Sequence, residues 1–250
     1  MTDQTTVEVA ENVVANHAAA EVAAQPAKAT KKKRNKNDPE RHSNPTFERE
    51  VKLTTTQAQR VYGRTMKYLA PAMFRLGVIL HVIGDQQQSR QTEDDVRKAI
   101  AGVGRQLDEA LAKSAEQIAA ANIAMDLTYT FLVLETAKLQ TPLAMQYLAL
   151  IEKLDKLVQN IDLLWMNGLM DSAFRSNTNH EWQRMLLRLS NEIIEAQKRA
   201  YAAAVDKGKK DELDKRGVEI VDKAVSEAED DDEDDLEEAE NEAEAEAVSA

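Results

Sequence analysis

Six basic side chains fall within eleven positions near the start of this 250-residue chain: Lys31, Lys32, Lys33, Arg34, Lys36 and Arg41. Such a cluster can neutralise several phosphates at once, with an affinity that falls steeply as salt rises. It can equally be a solvated linker that keeps a protein dispersed. A second cationic set, Arg60, Arg64 and Lys67, recurs at spacings of three and four, so these side chains share one helical face away from the apolar stripe. Between the two sets stands FEREVKLT (47–54), in which Glu48, Glu50 and Lys52 alternate with Phe47, Arg49, Val51 and Leu53. A period of two is that of a half-buried strand, with the charged set turned outward.

Other chemistry finds no purchase. There is no cysteine, hence no disulfide frame, thiolate nucleophile or cysteine metal site. The histidines, His17, His42, His81 and His180, stand at no ligand spacing, and His81 sits in an apolar helical pattern that suits a core position. No glycine-rich phosphate loop or nucleophile elbow occurs. The chain is therefore expected to be non-enzymatic, with no cofactor and no metal. It carries no basic-then-apolar leader, and its longest apolar stretch, 69–83, is interrupted by Arg75 and His81. Together with the absent cysteines, this fits a cytoplasmic protein without a membrane partner.

Charge is distributed unevenly. The formal net charge is −12, yet 227–247 alone holds fourteen acidic and no basic residues, and the rest is slightly positive. The acidic run can solubilise the chain, compete in cis for a basic site, or hold a protein partner. Residues 1–45 lack apolar periodicity and contain Pro26, Pro39 and Pro45; they are expected to be disordered, with the basic arm at 31–41. The globular core is expected at 47–205, and 206–250 as a charged linker and disordered acidic tail.

Within the core, the Thr54–Thr56 run offers an N-cap for a first helix, and Pro71 fits the first turn of a second that ends at Ile83 and Gly84. QQQSRQ reads as a polar link before a helix starting at Thr92 and running to about Met125. TYTFLVLET (128–136) is rich in strand formers. Thr141 and Pro142 open a helix whose leucines repeat at three and four. Asp171 opens a short piece that frays at SNTNH, and a last helix spans about 179–204, with Trp165, Trp182, Met166, Met170 and Met185 read as core. No repeat of fixed period is evident. The fold class is mainly α: a helical core with a short N-terminal strand.

A strand followed by two helices over 47–83 is the order of a ribbon-helix-helix unit, here extended by long helices. There two chains pair their strands and the ribbon enters the major groove. Glu48, Glu50 and Lys52 would then face bases, while the arm and Arg60, Arg64 and Lys67 would hold phosphates. The alternative is an ordinary edge strand on a helical core.

One longer stretch, VQNIDLLWMNGLMDSAFRSNTNHEWQRMLLRLSNEI (158–193), with Asp162, Leu164, Trp165, Gly168, Trp182, Gln183 and Leu186–Leu189, and a shorter one, EVKLTTTQAQRVYGR (50–64), resemble the AcaB-like proteins of conjugative plasmids and integrative conjugative elements. The resemblance covers about 47–204. It implies a ribbon-helix-helix fold, a homodimer bound to double-stranded promoter DNA, and regulation of transfer genes, as an activator. The competing expectation is a helical adaptor or scaffold of the same mobile element that binds protein and not DNA.

Overall fold

The computed structural model describes residues 45–124 and 127–218. The basic arm at 31–41 and the acidic run at 227–247 lie outside the described residues, so neither terminal expectation meets the structure. Among the described residues the fold is mainly α, with one two-stranded antiparallel sheet. Its elements are β1 (Phe47–Leu53), α1 (Thr56–Ile83), α2 (Gln86–Ala120), β2 (Val133–Leu139), α3 (Pro142–Met166), α4 (Ser172–Asp206) and α5 (Lys210–Lys215).

The order strand–helix–helix occurs twice, and the second copy repeats the first at a constant step of 86 residues. Phe47 maps onto Val133 at the strand starts, Thr55 onto Thr141 at the first N-caps, and Asp85 onto Asp171 at the second. Both second helices are 35 residues long. The caps match in chemistry as well as place. Thr55 accepts from the Ala58 N–H and Thr141 from the Ala144 N–H, while Asp85 accepts from Gln87 and Gln88 and Asp171 from Phe174. Each cap satisfies an N–H that the first helical turn leaves free. The expectation of no internal repeat is thus corrected. The copies have diverged in side chains while keeping the pattern of burial and the caps.

The two strands pair with each other, Phe47 opposite Leu139, Glu50 opposite Thr136 and Leu53 opposite Val133. This corrects the expectation that β1 pairs with a second chain: its edge groups are satisfied by β2 of the same chain, and the ribbon needs no second copy. β2 also begins and ends later than the sequence suggests, at 133–139 against 128–136.

Neither strand–helix–helix unit could bury its apolar stripe alone, and the copies solve this reciprocally. α1 packs most extensively on α4, and its counterpart α3 packs on α2. Val51, Leu53, Ala137 and Leu139 close the core from the ribbon side over Leu69, Met73, Tyr147, Ile151 and Leu154. α1 is long and apolar enough to cross a membrane by length and composition, but its apolar residues are this core.

Several boundaries differ from the sequence reading. No break occurs at Pro71, so 47–83 is a strand and one helix rather than a strand and two. Pro71 removes one helical hydrogen bond, but Leu69, Ala70, Ala72 and Met73 are all buried around it. The apolar stripe stays in phase from Ala58 to Ile83, so burial holds the helix through the defect. α2 starts at Gln86, six residues before Thr92, because Asp85 caps it and glutamine is a good helix former. Gly104 lies where α2 meets α3, with Leu150 Cδ2 3.4 Å from where a Cβ would stand. α4 is one helix from Ser172, with no fray at SNTNH; Asn179 there is buried. His81 is exposed rather than in the core, as is Met166. Past residue 206 the chain does not leave the core at once, since Leu213 of α5 and Val218 are buried against it.

Candidate nucleic-acid interface

Alternation along each strand turns three side chains of β1 and three of β2 outward. They are Glu48, Glu50 and Lys52, and across from them Lys138, Thr136 and Leu134. All six are exposed, Leu134 at 68%. The face is a short ribbon of mixed polarity, with a lysine in each of its two end rows. At one end Lys138 Nζ lies 3.6 Å from Glu48 Oε1; at the other, Lys52 stands opposite Leu134.

The buried side of the ribbon is held from below by helices of the opposite copy. Arg49 pairs with Glu152 of α3 at 2.8 Å. The carboxylate of Asp155, buried in α3, accepts from the backbone N–H groups of Thr54 and Thr55 at 3.0 and 2.7 Å. It also accepts from the Thr55 hydroxyl at 2.8 Å and from Gln159 at 2.9 Å. α3 thus runs back beneath the ribbon and fixes the turn from β1 into α1. On the matching side Tyr62 of α1 meets Glu135 of β2. Its phenol pKa is raised, first by burial and then by the charge of and hydrogen bond to Glu135.

Farther along α3, Asp162 accepts from Tyr129 at 2.8 Å and from Arg175 at 2.7 Å, and the Arg175 guanidinium stacks 4.3 Å from the Trp165 ring. Burial, then the Asp162 hydrogen bond, raises the Tyr129 pKa. This knot ties the segment leading into β2 to the α3–α4 turn. Asp162 and Trp165, two of the residues that carry the family resemblance, therefore do structural work.

The structure brings together Glu48, Glu50 and Lys52 as the sequence implied. Arg60 and Lys67 are exposed on α1, Arg64 is half-buried, and Lys67 lies 5.4 Å from the Tyr68 ring centroid. Lys31, Lys32, Lys33, Arg34, Lys36 and Arg41 lie outside the described residues. No helix starts at Pro71, so no phosphate-facing first turn exists there. The true second helices begin at Asp85 and Asp171, whose carboxylates occupy the N–H groups a phosphate would use. Leu134, Thr136 and Lys138 were missed by sequence reasoning. A signal existed: VKLTTTQA (51–58) and AKLQTPLA (137–144) share Lys-Leu-x-Thr-x-x-Ala at the 86-residue step. Among the described residues no group of three or more His, Asp or Glu could hold a metal ion.

The fold and this face define a class: a helical protein built from a duplicated strand–helix–helix unit whose strands join in one exposed ribbon. The chain is similar to selenomethionine-containing AcaB from uropathogenic E. coli, known as a crystal structure, at 32% identity and a TM-score of 0.69. The match covers 74% of this chain and 97% of that one. It belongs to the AcaB-like family. No family model and no curated protein matches the chain.

Proposed function

We propose that this chain is a non-enzymatic, sequence-specific DNA-binding regulator of the cytoplasm, an activator of conjugative-transfer genes, and that the outward face of its ribbon reads a promoter's major groove. The observation that carries the reading is the exposed ribbon on a twice-used strand–helix–helix scaffold similar to AcaB. A two-stranded ribbon fits a major groove, and its side chains match base edges: lysine donates to guanine O6 and N7, and glutamate accepts from the cytosine amino group. The ribbon's acids and lysines balance, so the face supplies selectivity more than attraction. Attraction is assigned to the arm, Lys31–Arg41, and to Arg60, Arg64 and Lys67 on α1, which would hold phosphates and set the salt dependence.

The test is binding of the full chain to fragments of its host genome at two salt concentrations, beside the double variant K52A/K138A. The expected result is one enriched site, with a preference that drops by about 1–3 kcal/mol for each guanine that a lysine no longer reads. Uniform affinity for all fragments, unaltered in the variant, would overturn the reading.

The adaptor reading has its own observation. Leu169 and Phe174 are exposed beside Met170 and Leu164 at a cleft of about 610 Å³ where α2 ends against the α3–α4 turn. L169A/F174A with DNA binding intact and transfer-gene expression abolished would give that cleft a protein partner alongside DNA.

A further inference from the structure

The two copies share a backbone plan and differ in what they present. At the 86-residue step Lys52 corresponds to Lys138, but Glu48 corresponds to Leu134 and Glu50 to Thr136. A ribbon made by two identical chains presents the same three side chains twice and matches a palindrome. This ribbon presents two related, unequal sets: Glu, Glu, Lys from β1 and Leu, Thr, Lys from β2. Its end rows differ as well. Lys138 faces an acid across the strand pair, and Lys52 faces an apolar side chain.

Resting on the reading of this face as a DNA reader, we infer that the ligand is a single non-palindromic duplex site bound by one chain in one orientation. The chemistry of the two sets specifies the broken symmetry. The lysines, at equivalent places, select a guanine in each half, related by the local two-fold. Leu134 offers only an apolar surface, which suits a thymine methyl; Thr136 also carries a methyl group. Glu48 and Glu50 can only accept, which suits a cytosine amino group, and they repel the phosphates that Leu134 and Thr136 tolerate. The half-site under β2 is thus T-containing, the half-site under β1 C-containing, and the β2 half is held more tightly. A fixed orientation also gives the bound protein a defined front and back along the promoter, which a symmetric dimer on a palindrome lacks.

The experiment is selection from a pool of randomised duplex DNA with the full chain and with E48L/E50T, together with the mass of the complex on the selected duplex. The two substituted side chains are exposed, so the fold does not depend on them. E48L/E50T makes both strands read Leu, Thr, Lys. The native chain is expected to enrich an asymmetric site, one chain per duplex. The variant is expected to prefer a palindrome of the thymine-containing half over the native site by roughly 10-fold or more, the scale of discrimination at one well-read base. A palindrome enriched by the native chain, two chains per duplex, or an unchanged preference in E48L/E50T would overturn the inference while leaving the face a DNA reader. Absence of any enriched sequence would overturn both.

Discussion

The two strand–helix–helix copies have parted most where one supports the other. In the first copy the strand–helix turn is held by Asp155, reaching from α3 to the N–H groups of Thr54 and Thr55. The position in α1 that corresponds to Asp155 is Leu69, which is fully buried. One copy therefore received a buried polar clamp where the other kept hydrocarbon. The same trade appears one helical turn into each first helix, where Val61 of α1 corresponds to Tyr147 of α3. Tyr147 is fully buried and donates its hydroxyl to the Leu186 carbonyl at 3.0 Å. Equivalent backbones thus carry inequivalent cores. Identity of fold constrains the pattern of burial and the caps far more than it constrains the chemistry at each place.

The largest expected effect tests the Tyr147–Val61 pair. Tyr147→Ala removes a buried ring and should cost about 3–5 kcal/mol in denaturant unfolding, against about 2 kcal/mol for Val61→Ala. Equal costs would show that the copies share stability evenly despite the difference in side chain. Next comes the clamp. Asp155→Leu, which gives α3 the residue its counterpart already has, leaves buried N–H groups at Thr54 and Thr55 without their acceptor and should cost about 3 kcal/mol. Amide exchange at those two residues should quicken, while exchange at Thr141 should not. Unchanged exchange at Thr54 and Thr55 would mean that the clamp is dispensable.

The smallest effect is one of pH. Burial raises the phenol pKa values of Tyr62, Tyr129 and Tyr147, so the folded state prefers their neutral forms. Their stabilisation is fully present below the unfolded value of about 10 and is lost as pH rises through the folded values. Melting temperature should therefore be flat on the acid side of that value and fall above it. Tyr129→Phe should soften the fall, at the cost of the Asp162 hydrogen bond. A melting curve that holds steady above pH 10 or so in the unaltered chain would contradict the burial of these phenols.

What the sequence could reveal followed from how local each signal was. β1 was legible because Val51 and Leu53 alternate cleanly with Glu50 and Lys52. Thr141-Pro142 and Asp171 marked helix starts for the same reason: a cap acts within its own turn. β2 was hidden because its inward face includes Glu135 and its outward face Leu134, which blurs the alternation. Enrichment in strand formers then pulled the assignment upstream to TYTFLVLET. Pro71 looked like a boundary because its local cost is real, and only the burial of both flanks outweighs it. Half of the candidate face was out of reach for one further reason. The partner of β1 lies 86 residues on, and only the short Lys-Leu-x-Thr-x-x-Ala echo connects them.

Because β1 finds β2 within its own chain, the equilibrium that assembles the ribbon contains no concentration. A ribbon built from two protomers dissolves on dilution and re-forms as the square of protomer abundance. Here the first molecule synthesised already carries the complete face, and what closes it is a chain loop whose entropic cost grows only with the logarithm of its length. Dose and assembly are uncoupled: twice as many chains give twice as many ribbons, with no threshold below which the face is missing.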